Sequence, residues 1–527
     1  MVLDAKTEAL VWRTLNQTRG KMEPLEYKNY VFGIMFYQYL SKQAQAWLQA
    51  HAPATSLKAI WQAQPAQITA KMQSQLGYVI QPGDLFSDWQ AAIEAGQFKL
   101  EMMQTALTRF QQRIAPVANA ALSGIFADLD LTATRLGNTA KARTATITDM
   151  IKLMSEIELD DDSDVLGDLY EYLMGMFATH AATKTGEFYT PQPVSEIMAQ
   201  IVTAGHEEAT NYRLYDPTMG SGSLLLTTAK HLQHAKQPGT IQYYGQELLT
   251  TTYNLARMNL MMHQVDYRDF HLRNADTLTR SGTLETEGTV NESLKFDAVM
   301  ANPPYSLRWD NQNRENEPQF EMGIAPKSKA DYAFLLHGLY HLKQTGRMAI
   351  VLPHGVLFCG GAEGRIRKQL LEHHQISAVI GLPEKIFTNT EIATVILVLE
   401  KQRERDDVLF IDASHDGVKI KKQHQLRQRD VTQIVKTYLD RTDVDKYAHV
   451  ASLNEIRANH YKLNINRYVD AVETAVPVNV AKVATEMQEL HQREKRLIRE
   501  LNGMLNNLSG STAEKQNELR LIKKVLR

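Results

Sequence analysis

From Tyr212 onward the chain alternates short apolar runs with helix-length amphipathic segments, and this pattern restricts the fold more than any other feature. Strands are expected at Arg213–Tyr215, at Ile241–Tyr244, just before Asn274, and at Ala298–Ala301, Arg347–Leu352, Ala378–Leu382 and Thr394–Leu399. Helices are expected at Leu224–His234, Leu249–His263 and Tyr332–Leu342. Strands that alternate with helices argue for a parallel, doubly wound α/β sheet. Such sheets bind ligands in loops outside the carboxyl ends of their strands. The strand-end residues are therefore the ones to read for chemistry.

The sharpest strand end is Phe296-Asp297-Ala298-Val299-Met300-Ala301-Asn302-Pro303-Pro304-Tyr305. Two successive prolines lack backbone donors and cannot continue a central strand, so the strand stops at Asn302. An amide oxygen, the carbonyls beside the prolines and an aromatic face suit a planar ring that carries an NH2 group. Taken alone, the tetrapeptide reads equally well as a Pro-rich turn with a core tyrosine.

The first strand ends in Asp216-Pro217-Thr218-Met219-Gly220-Ser221-Gly222-Ser223. A Gly-rich turn of this kind lets a ligand approach the backbone closely. It lacks the Lys of a P-loop and departs from the G-x-G-x-x-G fingerprint, so ATP hydrolysis and nicotinamide chemistry lose ground. Glu247 ends the second strand, where a carboxylate can accept hydrogen bonds from ribose hydroxyls. Together these features fit a nucleoside-bearing cofactor whose other end is not a polyphosphate.

At 527 residues the chain is too long for one ordinary core. Residues 1–165 read as a helical N-terminal domain, in which Tyr30 to Leu40 form a dense apolar helix with Trp12, Leu15, Trp47 and Leu48 as packing partners. Further helical spacing runs over Phe98–Ile114 and Thr146–Ile157, whereas Ala50–Ala66 reads as an irregular connection. The acidic run Asp160 to Asp164 marks a boundary, Val165–His180 a helix, and Thr183 to Pro193 a loop into a helix capped by Thr190 with Pro191 in its first turn. The region of the sheet is assigned to 166–470 and a helical tail to 471–527.

With 58 Lys+Arg against 60 Asp+Glu, the chain has no global basic excess. A protein that holds DNA alone usually carries one, because phosphate neutralisation supplies most of the affinity. If the chain works on nucleic acid, a local patch or a partner must supply much of the grip. The single cysteine, Cys359, excludes an intrachain disulfide and a multi-cysteine zinc site, and no metal site is expected. No apolar run approaches the roughly 20 residues that span a bilayer, and Met1–Gly20 does not read as a secretory signal. A cytoplasmic protein is the expectation.

In order, Gly186-Glu187-Phe188-Tyr189-Thr190-Pro191, Asp216 to Ser223, Glu247, Asn274-Ala275-Asp276 and Asn302-Pro303-Pro304-Tyr305 resemble the motifs of the modification (M) subunit of type I restriction–modification systems. Leu352-Pro353-His354-Gly355-Val356-Leu357-Phe358 and Ile386-Phe387-Thr388-Asn389-Thr390 are similar to that family too, and the likeness covers most of the chain. It implies a Rossmann-like adenine-N6 DNA methyltransferase that uses S-adenosylmethionine and flips its target base out of the duplex. By this resemblance Glu187, Phe188, Tyr189, Thr190, Pro191 and Gln192, with Gly220, Ser221, Gly222 and Ser223, line the cofactor pocket. Asp216 lies near the methionine portion, Glu247 binds the ribose and Asp276 sits near the cofactor adenine. Asn302 and the Pro303 carbonyl accept from the target amine and Tyr305 stacks on the base, with Pro304 counted in the same catalytic tetrapeptide. Met219, and Ser221-Gly222-Ser223 in place of a Thr-Ala-Gly-like triplet, depart from the family pattern.

In the tail, Val483, Met487, Leu490, Leu497, Leu501, Met504 and Leu508 follow heptad spacing, interrupted at Glu494. The resemblance implies that a specificity (S) subunit docks here, with two M subunits per S and a restriction (R) subunit in the full complex. About 125 residues follow the last expected strand and much of that reads as helical, which leaves little room for a separate target-recognition domain. A second enzyme reading uses the same tetrapeptide on a protein glutamine amide or on guanine N2 of ribosomal RNA, and a third, against which the intact Asn302 and Tyr305 argue, is a non-catalytic scaffold that binds S-adenosylmethionine.

Overall fold

A computed structural model describes residues 24–51, 57–156, 164–181, 190–279, 294–387, 392–420, 423–470, 480–508 and 512–525. The chain divides into two compact units, Met1–Asp470 and Ala471–Arg527. Trp12, Leu15, Glu187, Phe188, Tyr189 and Thr388 to Thr390 lie outside the described residues.

The first unit begins with helices α1 (Pro24–His51), α2 (Leu57–Ala63), α3 (Pro65–Leu76), α4 (Phe86–Glu94), α5 (Leu100–Gln112), α6 (Asn119–Leu122), α7 (Ala140–Glu156) and α8 (Asp164–Ala181). α1 is the hub of this region. Tyr30, Phe32, Ile34, Met35, Phe36, Tyr37 and Leu40 are all buried, so most of its circumference faces protein. Trp89 stacks on Tyr37 with ring centroids 4.5 Å apart. The connection expected to be irregular after Ala50 instead holds α2 and the start of α3, which opens on Pro65 in its first turn. Proline is tolerated there because its missing donor would have had no partner.

α9 (Gln192–Thr203) leads into the sheet: β1 (Tyr212–Asp216), α10 (Ser223–Ala229), β2 (Ile241–Glu247), α11 (Thr250–Met262), β3 (Phe270–Asn274), β4 (Phe296–Ala301), α12 (Asp331–His341) and β5 (Leu342–Pro353). Then come α13 (Gly361–Glu372), β6 (Ile376–Gly381), β7 (Thr394–Glu400), β8 (Val408–Asp412), the hairpin β9 (Val418–Ile420) with β10 (Gln423–Gln425), α14 (Gln428–Asp440), β11 (Ala448–Ala451) and α15 (Leu453–Ala458). The large sheet has nine strands in the order β11-β8-β6-β7-β5-β4-β1-β2-β3. β3, β2, β1, β4 and β5 are mutually parallel, as the alternation predicts.

β7 departs from the expected all-parallel sheet, since it runs antiparallel to both β5 and β6. No crossover helix separates β6 from β7 among the described residues, and without one a strand returns in the opposite direction. Four strands went unseen in the sequence, the paired β9 and β10 and two in the large sheet. β8 lies parallel to β6, and β11 lies antiparallel to β8. The stretch after β7 therefore holds strands as well as the expected helices. α10 is shorter than expected because the chain turns away from it, the Gln233 amide donating to the Glu207 carbonyl at 2.8 Å.

The helical region and the sheet share one continuous apolar core. α11 joins them. Tyr39 of α1 donates to the Met261 carbonyl at 2.6 Å, and Tyr170 of α8 to the Leu255 carbonyl at 2.8 Å. Arg257 donates to the carbonyls of Ala120, Ala121 and Ser123, while Thr251 and Asn254 donate to Asp128. Burial lowers the Arg257 pKa, so these carbonyls compensate a desolvated guanidinium.

The second unit consists of α16 (Val480–Asn506) and α17 (Ala513–Val525). Leu505 is buried, but Met487, Leu490, Leu497, Leu501, Met504 and Leu508 are exposed. The heptad seam is thus left open by this unit's own packing.

Candidate active site

The chain steps from β1 outward through β2 to β3 on one side, while β4 and β5 lie on the other. This reversal opens a crevice beyond the carboxyl ends of β1 and β4. Asp216, Glu247 and Asn302 end β1, β2 and β4, or directly follow them, so all three strand-end residues singled out from sequence reach that edge.

Asp216 is buried, and its Oδ1 accepts from the Thr218 amide at 2.9 Å. Burial pushes its pKa up to about 7; the Thr218 amide pulls it down, and the charge of Glu247 pushes it further up. Glu247 folds back over the same turn, Oε2 accepting from the Gly220 amide at 3.2 Å and Oε1 from the Leu249 amide at 2.8 Å. The first two strand ends are thereby tied into one structure. Leu248 and Leu249, next in sequence, are exposed apolar side chains at this edge.

The turn needs its glycines. Gly220 has φ +55° and Gly222 φ +78°, a region that L side chains avoid. A Cβ on Gly222 would lie 2.7 Å from Leu260 Cδ1, whereas one on Gly220 would meet nothing within 4 Å. Backbone close to a carboxylate pair, with open space above Gly220, is a cradle that fits a nucleoside-bearing ligand. Met219 is accommodated because Gly245 on β2 has no side chain, and a Cβ there would collide with the Met219 sulfur.

A carboxylate that sequence reasoning missed anchors this turn from outside the sheet. Glu171, on α8, accepts from Ser223 Oγ at 2.6 and 2.8 Å and from Asn259 Nδ2 at 2.7 Å. Asn259 also donates to the Ser221 carbonyl at 2.9 Å, and the Ser221 and Ser223 hydroxyls lie 2.9 Å apart. Ser221 and Ser223 thus belong to a polar network under the turn. The only sequence signal was a lone carboxylate in Leu169-Tyr170-Glu171-Tyr172-Leu173.

Asn302 is buried just past β4. Its Nδ2 donates to Thr190 Oγ1 at 3.0 Å, and its Oδ1 accepts from the Tyr305 hydroxyl at 2.8 Å. Tyr305 meets Phe387 edge-on, with centroids 6.2 Å apart and planes at 88°. Burial pushes the Tyr305 pKa well up, and the nearby Asp331 charge adds to this. Phe387, noted in sequence only as part of a familial run, is thus a neighbour of the tetrapeptide. Pro303 is buried and Pro304 half-buried.

The remaining expected residues are distributed differently. Thr190 does not cap α9; Pro191 occupies the cap position, with Pro193 in the first turn and no side-chain cap bond. Thr190 instead touches the Asn302 amide. Gln192 donates to Thr227 of α10 at 3.4 Å. Asp276 is exposed beyond β3, its Oδ1 accepting from the Leu278 amide at 2.9 Å.

Comparison with known proteins agrees with this layout. The N-6 DNA Methylase family model matches residues 161–476, and the HsdM N-terminal domain model matches residues 7–154. The Type I restriction enzyme MpnII methylase subunit of Mycoplasma pneumoniae is 31% identical over 524 residues, covering 95% of this chain and 96% of that protein. The crystal structure of a type I restriction–modification system methyltransferase subunit from Streptococcus thermophilus superposes with a TM-score of 0.81 at 40% identity, covering 88% of this chain and 99% of that one. A modification subunit of a putative type I restriction enzyme from Vibrio vulnificus shares the fold at 20% identity, with a TM-score of 0.59 and coverage of 88% and 97%. The chain belongs to the N-6 DNA methylase family, among the methylase subunits of type I restriction–modification systems, and its role is that of a DNA methyltransferase.

Proposed function

We propose that this chain methylates N6 of adenine in double-stranded DNA, taking the methyl group from S-adenosylmethionine, as the modification subunit of a type I restriction–modification complex. The observation that carries the reading is the oriented Asn302 amide at the end of β4, one strand away from the Asp216–Gly220–Glu247 cradle. When bound, the cofactor would supply an electrophilic sulfonium methyl group. Asp216 would hold the cationic amino-acid end and Glu247 the ribose, with the Gly220 to Ser223 backbone beside them. Asp276 and the Thr190 to Gln192 stretch are assigned to the same pocket, together with Glu187, Phe188 and Tyr189.

An exocyclic amine is a poor nucleophile because its lone pair is delocalised into the ring. Asn302 Oδ1 and the Pro303 carbonyl would accept from its two N–H groups, favour a tetrahedral nitrogen and stabilise the positive charge that develops on attack. Tyr305, backed by Phe387, would offer a face to the base. Holding the amine in line with the methyl group supplies the proximity term. No enzyme nucleophile takes part. The amine is inaccessible within a duplex, so the base must leave the stack.

The open seam on α16 supports a helical partner, which we assign as the specificity subunit that selects the site, with two M subunits per S and a restriction subunit in the complete enzyme. No helix among the described residues is long and apolar enough to cross a membrane, and a cytoplasmic setting is proposed. Asn302→Ala, assembled with the specificity subunit, tests the reading. Methyl transfer should fall by at least about 100-fold with cofactor affinity unchanged. Near-normal N6-methyladenine formation by this variant would overturn the assignment.

A further inference from the structure

The Asn302 to Tyr305 turn has few backbone anchors of its own, because Pro303 and Pro304 carry no N–H. The first amide beyond the tetrapeptide, that of Ser306, donates to Asp331 Oδ1 at 2.9 Å. Ser306 sits at φ +53°, a conformation that a residue with a Cβ avoids unless its surroundings impose it. Asp331 is almost wholly buried at the first residue of α12, 1% exposed, and it reaches across a long loop to make this bond. The loop closes next to it. Ala330 N donates to the Leu307 carbonyl at 2.9 Å, and Trp309 N to the Lys327 carbonyl at 3.1 Å.

The Ser306 amide lies in the same peptide plane as the Tyr305 carbonyl. Fixing it fixes ψ of Tyr305, and with it the direction of a side chain that bonds the Asn302 oxygen. A desolvated carboxylate is costly, and burial does raise the Asp331 pKa, so packing alone does not account for an aspartate here. We propose that Asp331 is a positioning residue for methyl transfer, holding Tyr305 and, through it, the Asn302 amide where the target amine must arrive. This rests on the function proposed above.

The test compares Asp331→Ala with Asp331→Asn in the full chain assembled with its specificity subunit. Asp331→Ala should lower kcat by about 100-fold while KM for S-adenosylmethionine and the melting temperature stay near wild type. Asp331→Asn keeps an acceptor for the Ser306 amide and should retain most of the rate. Hydrogen exchange across Asn302–Trp309 should rise in the alanine variant alone, with α9 and β1 unchanged. The inference is overturned if exchange and kcat are unaltered in Asp331→Ala, or if Asp331→Asn falls as far. A loss of rate that merely follows lost cofactor affinity and melting temperature overturns it too. Absence of methyl transfer by the wild-type complex would reject the proposed function, while the exchange comparison would still decide whether Asp331 anchors the turn.

Discussion

The Tyr305 hydroxyl donates to the Asn302 amide oxygen at 2.8 Å, and the amide nitrogen is in turn spent on Thr190 at 3.0 Å. The amide therefore has a defined direction before any base arrives. Its oxygen keeps one further lone pair for an incoming N–H. In the proposed function the tyrosine would have two separable jobs, orienting the acceptor and offering a ring face.

Tyr305→Phe removes the first job and keeps the second, so it should lower kcat modestly and leave KM for DNA near wild type. Tyr305→Ala removes both. Base stacking is worth about 1–3 kcal/mol, so this variant should raise KM for DNA roughly 5- to 150-fold as well. Steady-state kinetics on a target duplex separate the two effects. Equal KM values for the two variants would show that the ring face carries no binding.

Cofactor affinity should depend on pH through Asp216. With its pKa near 7 in the free protein, Asp216 is largely protonated at pH 6. A ligand with an ammonium group beside it favours the carboxylate, so binding must expel a proton. Affinity for S-adenosylmethionine should rise up to about tenfold per pH unit below pH 7 and level off above it. Calorimetry in buffers of different ionisation enthalpy would detect the released proton. Asp216→Asn should flatten the profile.

The same carboxyl affects stability in the ligand-free protein. Its folded pKa lies above the unfolded value near 3.9, so the folded state binds the extra proton between these two pH values. Stability from this group is therefore present below about pH 4 and is lost as pH rises towards 7. Asp216→Asn should remove that decline, measured by urea denaturation between pH 5 and 8.

Met219 and Gly245 form a size-matched pair. Gly245→Ala should destabilise the protein by about 1–3 kcal/mol, the usual cost of overpacking. Met219→Ala in the same chain should restore part of the loss, because it empties the space that the new methyl group needs. A double-mutant cycle on melting temperature measures the coupling, and additive effects would contradict it.

On the helical tail, Leu490→Asp with Leu497→Asp alters two exposed positions. The first unit should melt as in wild type, and the chain should stop co-purifying with the specificity subunit. Retained co-purification would place the contact elsewhere.

Strand ends were legible in the sequence because each is a local event: an apolar run, then a residue type that cannot extend it. Asn302, Asp216 and Glu247 were found this way, as was the turn at Gly220 to Ser223. Glu171 and Asp331 were not, because nothing in their own neighbourhoods marks them, and Phe387 stood out only as part of a familial run with no role attached. Each matters through a partner far away in sequence, Glu171 through Ser223 and Asn259, Asp331 through Ser306, and Phe387 through Tyr305. β8 and β11 escaped for a related reason. They are short runs whose strand character comes from pairing with each other and with β6. The met-in-glycine fit at Met219 and Gly245 is also a two-residue fact, invisible at either position alone.

α11 carries a larger consequence. Its buried face is bonded to α1, α8 and the carbonyls of Ala120, Ala121 and Ser123 in and just after α6, and its first residue lies three positions after Glu247. Chimeras of related subunits joined near residue 165 would therefore have to carry across both halves of this interlock. A change in one half would disturb the other, so the helical region and the sheet should unfold as one piece.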